Sequence, residues 1–206
     1  MLGSAFQKTG GLPPFLTAQL VFPYQTSLAF VQRLYRAAGN RWTLVDAAHR
    51  SHPPVSTEQI MHPDAYLRFE NPVPVRLRVN KVLGDGWQRV VAGTLGEFET
   101  REVLANGGGG AADAAAGWGG DRYELWRRAP LAGTCSAPCI DDDALVVRWR
   151  WDTRKDEREF LASLRQWVRE GSRPHGGGVA VRRSGGAVTL VIASDGELAD
   201  RLVNRS

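Results

Sequence analysis

Apolar residues in the first part of the chain recur every three or four positions, which is the spacing of one face of an α-helix. The clearest example follows Thr26 and Ser27, either of which can cap a helix N-terminus. The apolar face of this helix consists of Leu28, Val31, Leu34 and Tyr35. Because such a stripe is unfavourable in water, we expect an upstream segment or a second copy of the chain to cover it.

Further short helices are predicted in the same region. Residues 42–48 form one, and the spacing of Ser56 and Gln59 is that of a capping box, which predicts another. The helix continues over HPDAYL after a break at Pro63.

From Val73 onward the apolar period becomes two, which is typical of a strand. Arg76 and Arg78 fall on the face opposite to the apolar residues. Pro72 and Pro74 cannot donate ladder hydrogen bonds, so we predict an edge strand or an extended arm.

Residues 95–126 connect the helical part of the chain to a sheet. Thr94 and Glu97 have the spacing of a capping box and predict a helix that begins there. A short alanine-rich helix then ends at Gly117, and residues 118–122 form the turn into a strand.

The pattern in the last part of the chain predicts strands and helices in the order ββαββα. Trp149 and its apolar neighbours share one face of a strand, whereas Arg148 and Arg150 share the other, solvated face. An amphipathic helix that begins at Thr153 or Asp156 covers the apolar face. A hairpin at Ser-Gly-Gly and a last helix complete the pattern.

The last helix is predicted to be capped by Ser194 and Glu197. The fold class is therefore α+β, with an N-terminal helical layer followed by a ββαββα antiparallel sheet that has helices on one face. The predicted organisation is a loose lead (1–14), a mainly helical region with a short strand pair (15–117) and an α+β region (118–206).

Composition and charge narrow the function classes. The chain has 206 residues, 43% of them hydrophobic, and a net charge of +4. Its basic residues are nearly all arginines spread along strands and helices among 22 acidic residues, so no nucleic-acid partner is predicted. No apolar run is long enough for a membrane span, and the N-terminus lacks signal-peptide features, which leaves the localisation open.

The sequence contains no complete catalytic or metal-binding motif. His49 with His52, and Glu58 with His62, have spacings that allow a shared metal, but the prolines at 53 and 54 separate the pairs. There is no H-E-x-x-H helix, and the glycine runs lack the context of a phosphate loop. We therefore predict no catalytic residue, metal or cofactor for this chain.

Two cysteines, Cys135 and Cys139, form a C-x-x-x-C spacing. No further cysteine completes a structural zinc site, so the alternatives are a short-loop disulfide and two thiols.

The chain resembles the C-terminal part of a group of bacterial, largely actinobacterial and chloroflexal, zinc metallopeptidase-like proteins. The resemblance lies in the succession FPY, FVQRLY, PPVSTEQIMHPDAY, VPVRL, LGDGW, TLGEFETREVL, AAAGWGGDRYELW, WDTRKDEREF and VTLVIASDGELADRLV. It extends from about Pro14 onward. It implies an H-E-x-x-H helix and a further glutamate upstream of the matching segment, and zinc only in a full-length relative.

Two functions follow from this resemblance. Without the ligands, the chain is predicted to be a non-catalytic C-terminal scaffold or binding portion, and not an enzyme by itself. The alternative is half of a peptidase-like hydrolase whose H-E-x-x-H segment lies upstream or on another chain. If the parent protein is exported, as the resemblance allows, Cys135 and Cys139 are expected to be oxidised.

Four polar residues are candidates for lining a cleft. His62 and Tyr66 lie at a helix break, and Asp121 and Arg122 lie at the predicted helix-to-strand turn, where loops carry function. In a complete peptidase, a His or Tyr could stabilise an oxyanion and an Arg could hold a carboxylate. The competing interpretation is structural, with Asp121 and Arg122 as a pair or cap and His62 as a turn cap.

Overall fold

The computed structural model describes residues 12–105, 111–128, 142–170 and 177–205. The chain divides after Asn71 into two compact units. The sequence pattern placed residues 72–117 in the helical region. In the structure they belong to the unit that contains the sheet. They do so because Leu104 and Ala114 pack into the core of the sheet.

The described part of the first unit contains the helices α1 (Pro14–Ala37), α2 (Thr43–Arg50), α3 (Thr57–Met61) and α4 (Pro63–Leu67). Helix α1 begins well before the predicted caps at Thr26 and Ser27. Pro14 suits its first turn, where a missing N–H has no intrahelical partner, and the helix continues through Pro23. The predicted loose lead lies almost entirely outside the described residues.

The C-terminal half of α1 packs within its own unit. Leu34 is fully buried and contacts a cluster that contains Phe30 and Tyr66. The rings of Phe30 and Tyr66 meet edge to face, with centroids 5.2 Å apart. Val31 packs against the same cluster.

The other two residues of the predicted stripe, Tyr35 and Leu28, do not pack into this cluster. The ring of Tyr35 lies 5.0 Å from that of Trp42, whereas Leu28 is 61% exposed. The four residues therefore do not form one uncovered face, because the helix turns Leu34 inward and Leu28 outward.

The second unit contains a five-stranded sheet in which all neighbouring strands are antiparallel. Its strands are β1 (Trp87–Gly93), β2 (Trp118–Arg128), β3 (Asp143–Trp151), β4 (Gly178–Ser184) and β5 (Ala187–Ala193). Their spatial order is β1-β2-β3-β5-β4. The α+β class is confirmed, but residues 118–122 belong to β2 and not to a turn.

The described helices of this unit are α5 (Asn80–Leu83), α6 (Gly96–Ala105), α7 (Ala111–Ala115), α8 (Arg154–Glu170) and α9 (Gly196–Arg205). The order β2-β3-α8-β4-β5-α9 confirms the ββαββα pattern. Thr153 caps α8 as predicted, because its Oγ1 accepts a hydrogen bond from the Asp156 N–H at 3.2 Å. At α9, the cap is Asp195 and not the predicted Ser194, because the Oδ1 of Asp195 accepts a 2.8 Å hydrogen bond from the Leu198 N–H. None of the described helices has the length and apolar character needed to cross a lipid bilayer.

Helices pack on both faces of the sheet, so the prediction that they share one face is corrected. One core joins α8 to odd-numbered positions of β3, through Phe160, Leu164, Val147 and Trp149. The other core joins α9 to even-numbered positions of β3, through Leu198, Leu202, Ala144 and Val146. Alternate residues of a strand point to opposite faces, so α8 and α9 lie on opposite sides of the sheet.

Residues 72–79 form an irregular arm and not an edge strand. The Val73 N–H donates a 2.7 Å hydrogen bond to the Gly119 carbonyl, near the start of β2. A Cβ on Gly120 would collide with the Val73 carbonyl oxygen, and Gly120 has a φ of +155°, so this close approach requires glycine. Val79, at the other end of the arm, is buried in the core of α9.

Candidate anion-binding site

One face of the sheet changes from apolar to cationic along β3. Under α9, this face carries Ala144 and Val146. The next two positions with the same orientation are Arg148 and Arg150, because residues two apart in a strand share a face. The core under α9 therefore ends at a pair of arginines.

Residues of the neighbouring strands lie in register with Arg148 and form a row across the sheet. In the sheet register, Arg148 lies opposite Arg122 of β2 on one side and Thr189 of β5 on the other. Thr189 in turn lies opposite Arg182 of β4. Three of the four positions in this row are thus arginines, and like charges directly opposite each other destabilise a sheet.

The next row surrounds Arg150 with small residues. Arg150 lies between Gly120 of β2 and Ala187 of β5. The two-residue turn from β4 to β5 follows, where Gly185 and Gly186 have φ values of +59° and +73°, as a type I′ turn requires. A Cβ on Gly186 would lie 3.8 Å from an Nη atom of Arg150, so the glycines leave space beside the guanidinium.

Two further elements bring arginines to this face. The arm contributes Arg76 and Arg78, both of them exposed. The C-terminal end of α9 contributes Arg205. Next to it, Arg182 donates hydrogen bonds to the backbone oxygen and the Oδ1 of Asn204, at 3.1 and 2.6 Å.

Together these elements form a cleft of about 490 Å³. The arginines that line it are Arg76, Arg78, Arg148, Arg150 and Arg205. The other described lining residues are Pro74, Val75, Gly185 and Ala187. Since none of these described residues is acidic, the positive charges add to one potential within the cleft.

Arg148 has the most unfavourable environment for a charge among these residues. It is half-buried, whereas the other four arginines are exposed. Burial lowers the pKa of Arg148, and the nearby charges of Arg150 and Arg182 lower it further. A guanidinium remains charged at neutral pH. The lowered pKa means that the charged form of Arg148 is less favourable here than in water, and a bound anion would make it more favourable.

This arrangement suits an anion. Guanidinium groups bind phosphate and carboxylate through paired N–H donors, and they are only weakly hydrated. Arginines on three separate elements can approach one ligand from several directions. The described lining includes neither a nucleophile nor a general base.

This cleft was not predicted from the sequence. In the sequence, Arg148 and Arg150 share a strand face, and Arg76 and Arg78 lie opposite apolar residues. The arginines nevertheless look dispersed, because their separation along the chain hides their proximity in the sheet. The two Arg-x-Arg pairs on otherwise apolar strands were the available signal.

Two of the residues predicted to line a cleft lie in the first unit. His62 is exposed at the junction of α3 and α4. Tyr66 is buried in α4 and donates a 2.8 Å hydrogen bond to the His52 carbonyl, and burial raises its pKa. A functional role for either residue stays a prediction.

The other two candidates are adjacent residues of β2 that point to opposite faces. Asp121 is buried and accepts hydrogen bonds from the backbone of Leu95 and Gly96 and from the Trp118 indole. Asp121 thus caps the N-terminus of α6. Arg122 lies in the cationic row, next to the cleft.

Cys135 and Cys139 lie outside the described residues. Their pairing therefore stays a prediction, as does the choice between a disulfide and two thiols.

The fold and the cleft define an α+β protein with a concentrated cationic surface. Residues 81–203 match a family described as a domain of unknown function, DUF8575, and the chain belongs to this family. The matching segment contains Arg148, Arg150 and Arg182, whereas Arg76, Arg78 and Arg205 lie outside it. No curated protein and no solved structure matches the chain.

Proposed function

We propose that the chain is a non-catalytic binding module whose second unit holds an anionic ligand in the arginine cleft. The observation that carries this proposal is the convergence of five arginines from β3, the arm and α9 on a described lining without acidic residues. The described lining offers no carboxylate to Arg76, Arg78, Arg150 or Arg205, whereas Arg127 in the same unit pairs with Asp143 at 2.6 Å.

The energetics of the sheet support a ligand. Arg148 lies opposite Arg122, and its pKa is lowered by burial and by neighbouring cations. Among the described residues, Arg76, Arg78, Arg150 and Arg205 form no ion pair. A phosphate or carboxylate in the cleft would convert mutual repulsion into charge-assisted hydrogen bonds.

The alternative function, half of a peptidase-like hydrolase, rests on the succession of motifs alone. It needs an H-E-x-x-H segment upstream or on another chain. The nucleotide sequence upstream of Met1 tests it directly, since an in-frame H-E-x-x-H there would favour the hydrolase.

Calorimetric titration with inorganic phosphate, at an ionic strength fixed with sodium chloride, tests the binding proposal. We expect saturable binding to the wild-type chain. The double substitution Arg148→Gln and Arg150→Gln should weaken it at least about tenfold, because each charge-assisted hydrogen bond contributes roughly 1.5–3 kcal/mol.

The matched control is the double substitution Arg158→Gln and Arg165→Gln, which removes the same two charges from exposed positions of α8, on the other face of the sheet. It should bind phosphate as the wild type does. If the control and the double variant lose affinity equally, binding reflects net charge only, and the proposal fails.

A further inference from the structure

Each of the two arginine pairs of the cleft comes from alternate positions of one segment. Arg148 and Arg150 are two residues apart in β3, and Arg76 and Arg78 are two residues apart in the arm. In β3 this separation spans about 6.6 Å, at ~3.3 Å per residue. Each pair therefore presents two guanidinium groups from two different backbone positions.

A single phosphate group cannot satisfy all of these donors. Each guanidinium has five N–H donors in a rigid fork and prefers two oxygens of one group. Arg76, Arg78, Arg150 and Arg205 would therefore compete for one phosphate, and most of their mutual repulsion would remain. A ligand with two or more phosphate groups can give each wall of the cleft its own anion.

The lining residues that are not arginines indicate what the part of the ligand between its phosphate groups is like. Pro74, Val75, Gly185 and Ala187 offer small apolar and backbone surfaces, and no described lining residue is aromatic. Sites for single-stranded nucleic acid usually stack bases on aromatic rings. A volume of about 490 Å³ lies within the range of small-molecule sites. The cleft therefore fits a compact, non-aromatic ligand.

We infer that the cleft binds a small polyol or sugar that carries at least two phosphate groups, with one phosphate on the Arg148–Arg150 pair and another on the Arg76–Arg78 pair. This inference rests on the proposed anion-binding function. It adds the class of ligand and assigns separate roles to the strand and the arm.

Fructose 1,6-bisphosphate and fructose 6-phosphate are suitable probes, because they share a sugar and differ by one phosphate. Titrated at equal ionic strength, the bisphosphate should bind at least about tenfold more tightly than the monophosphate. The double substitution Arg76→Gln and Arg78→Gln should abolish this difference and change monophosphate binding less than about threefold. The control with Arg158→Gln and Arg165→Gln should leave both affinities unchanged.

The design separates this inference from the function on which it rests. Equal affinity for the two sugars, with both lost in the Arg148→Gln and Arg150→Gln variant, would overturn the two-phosphate inference and keep the anion site. Tighter binding of an eight-nucleotide oligothymidylate than of the bisphosphate would also overturn it, in favour of a nucleic-acid strand. If neither inorganic phosphate nor any of these probes binds, both proposals fail. Circular dichroism of each variant confirms that it is folded.

Discussion

The backbone N–H of Gly96 donates a 2.8 Å hydrogen bond to the Oδ1 of Asp121, which lies 25 residues later in the chain. The Oδ2 of the same carboxylate accepts a 2.8 Å hydrogen bond from the Leu95 N–H. Asp121 in β2 thus accepts hydrogen bonds from backbone N–H groups at the start of α6. The first N–H groups of a helix have no acceptor within the helix itself. The Trp118 indole adds a third hydrogen bond, at 3.0 Å.

Asp121→Ala should therefore destabilise the second unit by roughly 2–5 kcal/mol, because each buried donor left without a partner costs about 1–3 kcal/mol. Urea denaturation followed by circular dichroism measures this change. Asp85→Ala is the control, since Asp85 is an exposed turn residue of the same unit. Equal stabilities of the two variants would show that the cap of α6 contributes nothing.

The protonation of Asp121 should make stability depend on pH. Burial raises its folded-state pKa above the ordinary value of 3.8, although its three hydrogen bonds and the charge of Arg122 act in the opposite direction. The folded state then binds the proton more tightly than the unfolded state. The contribution of this group to stability is therefore largest below pH 3.8 and is lost as the pH rises through the folded pKa.

Asp121→Asn removes this titration. The stability of the wild type relative to Asp121→Asn should therefore fall as the pH is raised from about 3.8, the ordinary value. Urea midpoints of both proteins, measured between acidic and neutral pH, give this difference. A difference that rises with pH would mean that the hydrogen bonds outweigh burial at this carboxylate.

Local sequence motifs predicted the starts of two helices correctly. Ser56 caps α3 and Thr153 caps α8 because the donor and acceptor lie within three residues of each other. The cap that Asp121 provides could not be read in this way, since it depends on the position of β2 beside α6. Sequence patterns therefore predict contacts within a turn of helix better than contacts across the sheet.

The same limit applies to the two faces of the sheet. Ala144 and Val146 share the face of Arg148, so this face is apolar at one end and cationic at the other. From the sequence alone, the face of Arg148 and Arg150 was predicted to be solvated. Strand order and register place α9 over its apolar half, and this information is not local.

Gly120→Ala should displace the arm from the start of β2. A Cβ at this position would collide with the Val73 carbonyl oxygen, and the φ of +155° is unfavourable for alanine. We expect loss of stability and faster amide exchange of the Val73 N–H, which normally donates to Gly119. Gly86→Ala, where an added Cβ meets nothing within 4 Å, is the matched control. Unchanged exchange at Val73 in Gly120→Ala would contradict the close packing of the arm.

The chain alone is expected to bind no stoichiometric zinc and to cleave no peptide. The sequence lacks the H-E-x-x-H helix that would supply two ligands and a general base. Elemental analysis after dialysis, together with an assay on a casein substrate, checks both points. One tightly held zinc per chain with chelator-sensitive proteolysis would refute this prediction and favour the hydrolase alternative.

Leu34 and Leu28 lie on the same helix and should respond differently to truncation. Leu34 is fully buried with Phe30 and Tyr66, so Leu34→Ala should destabilise the first unit by about 2–5 kcal/mol. Leu28 is 61% exposed, so Leu28→Ala should change stability by less than about 0.5 kcal/mol. Amide exchange along α1 measures both effects.

The same pair tests the predicted self-association. A side chain with no exposed surface cannot contact a second copy unless the unit opens, whereas Leu28 can do so directly. If two chains associate through this part of α1, Leu28→Glu should abolish the concentration dependence of the scattered light and leave the folded unit intact. If the chains still associate in Leu28→Glu, the contact does not involve Leu28. Loss of association in Leu34→Ala, in which the first unit is destabilised, would then place the contact elsewhere on the chain. A wild-type chain that remains monomeric at all concentrations would show that the packing of Leu34 and Val31 within the first unit is sufficient for this helix.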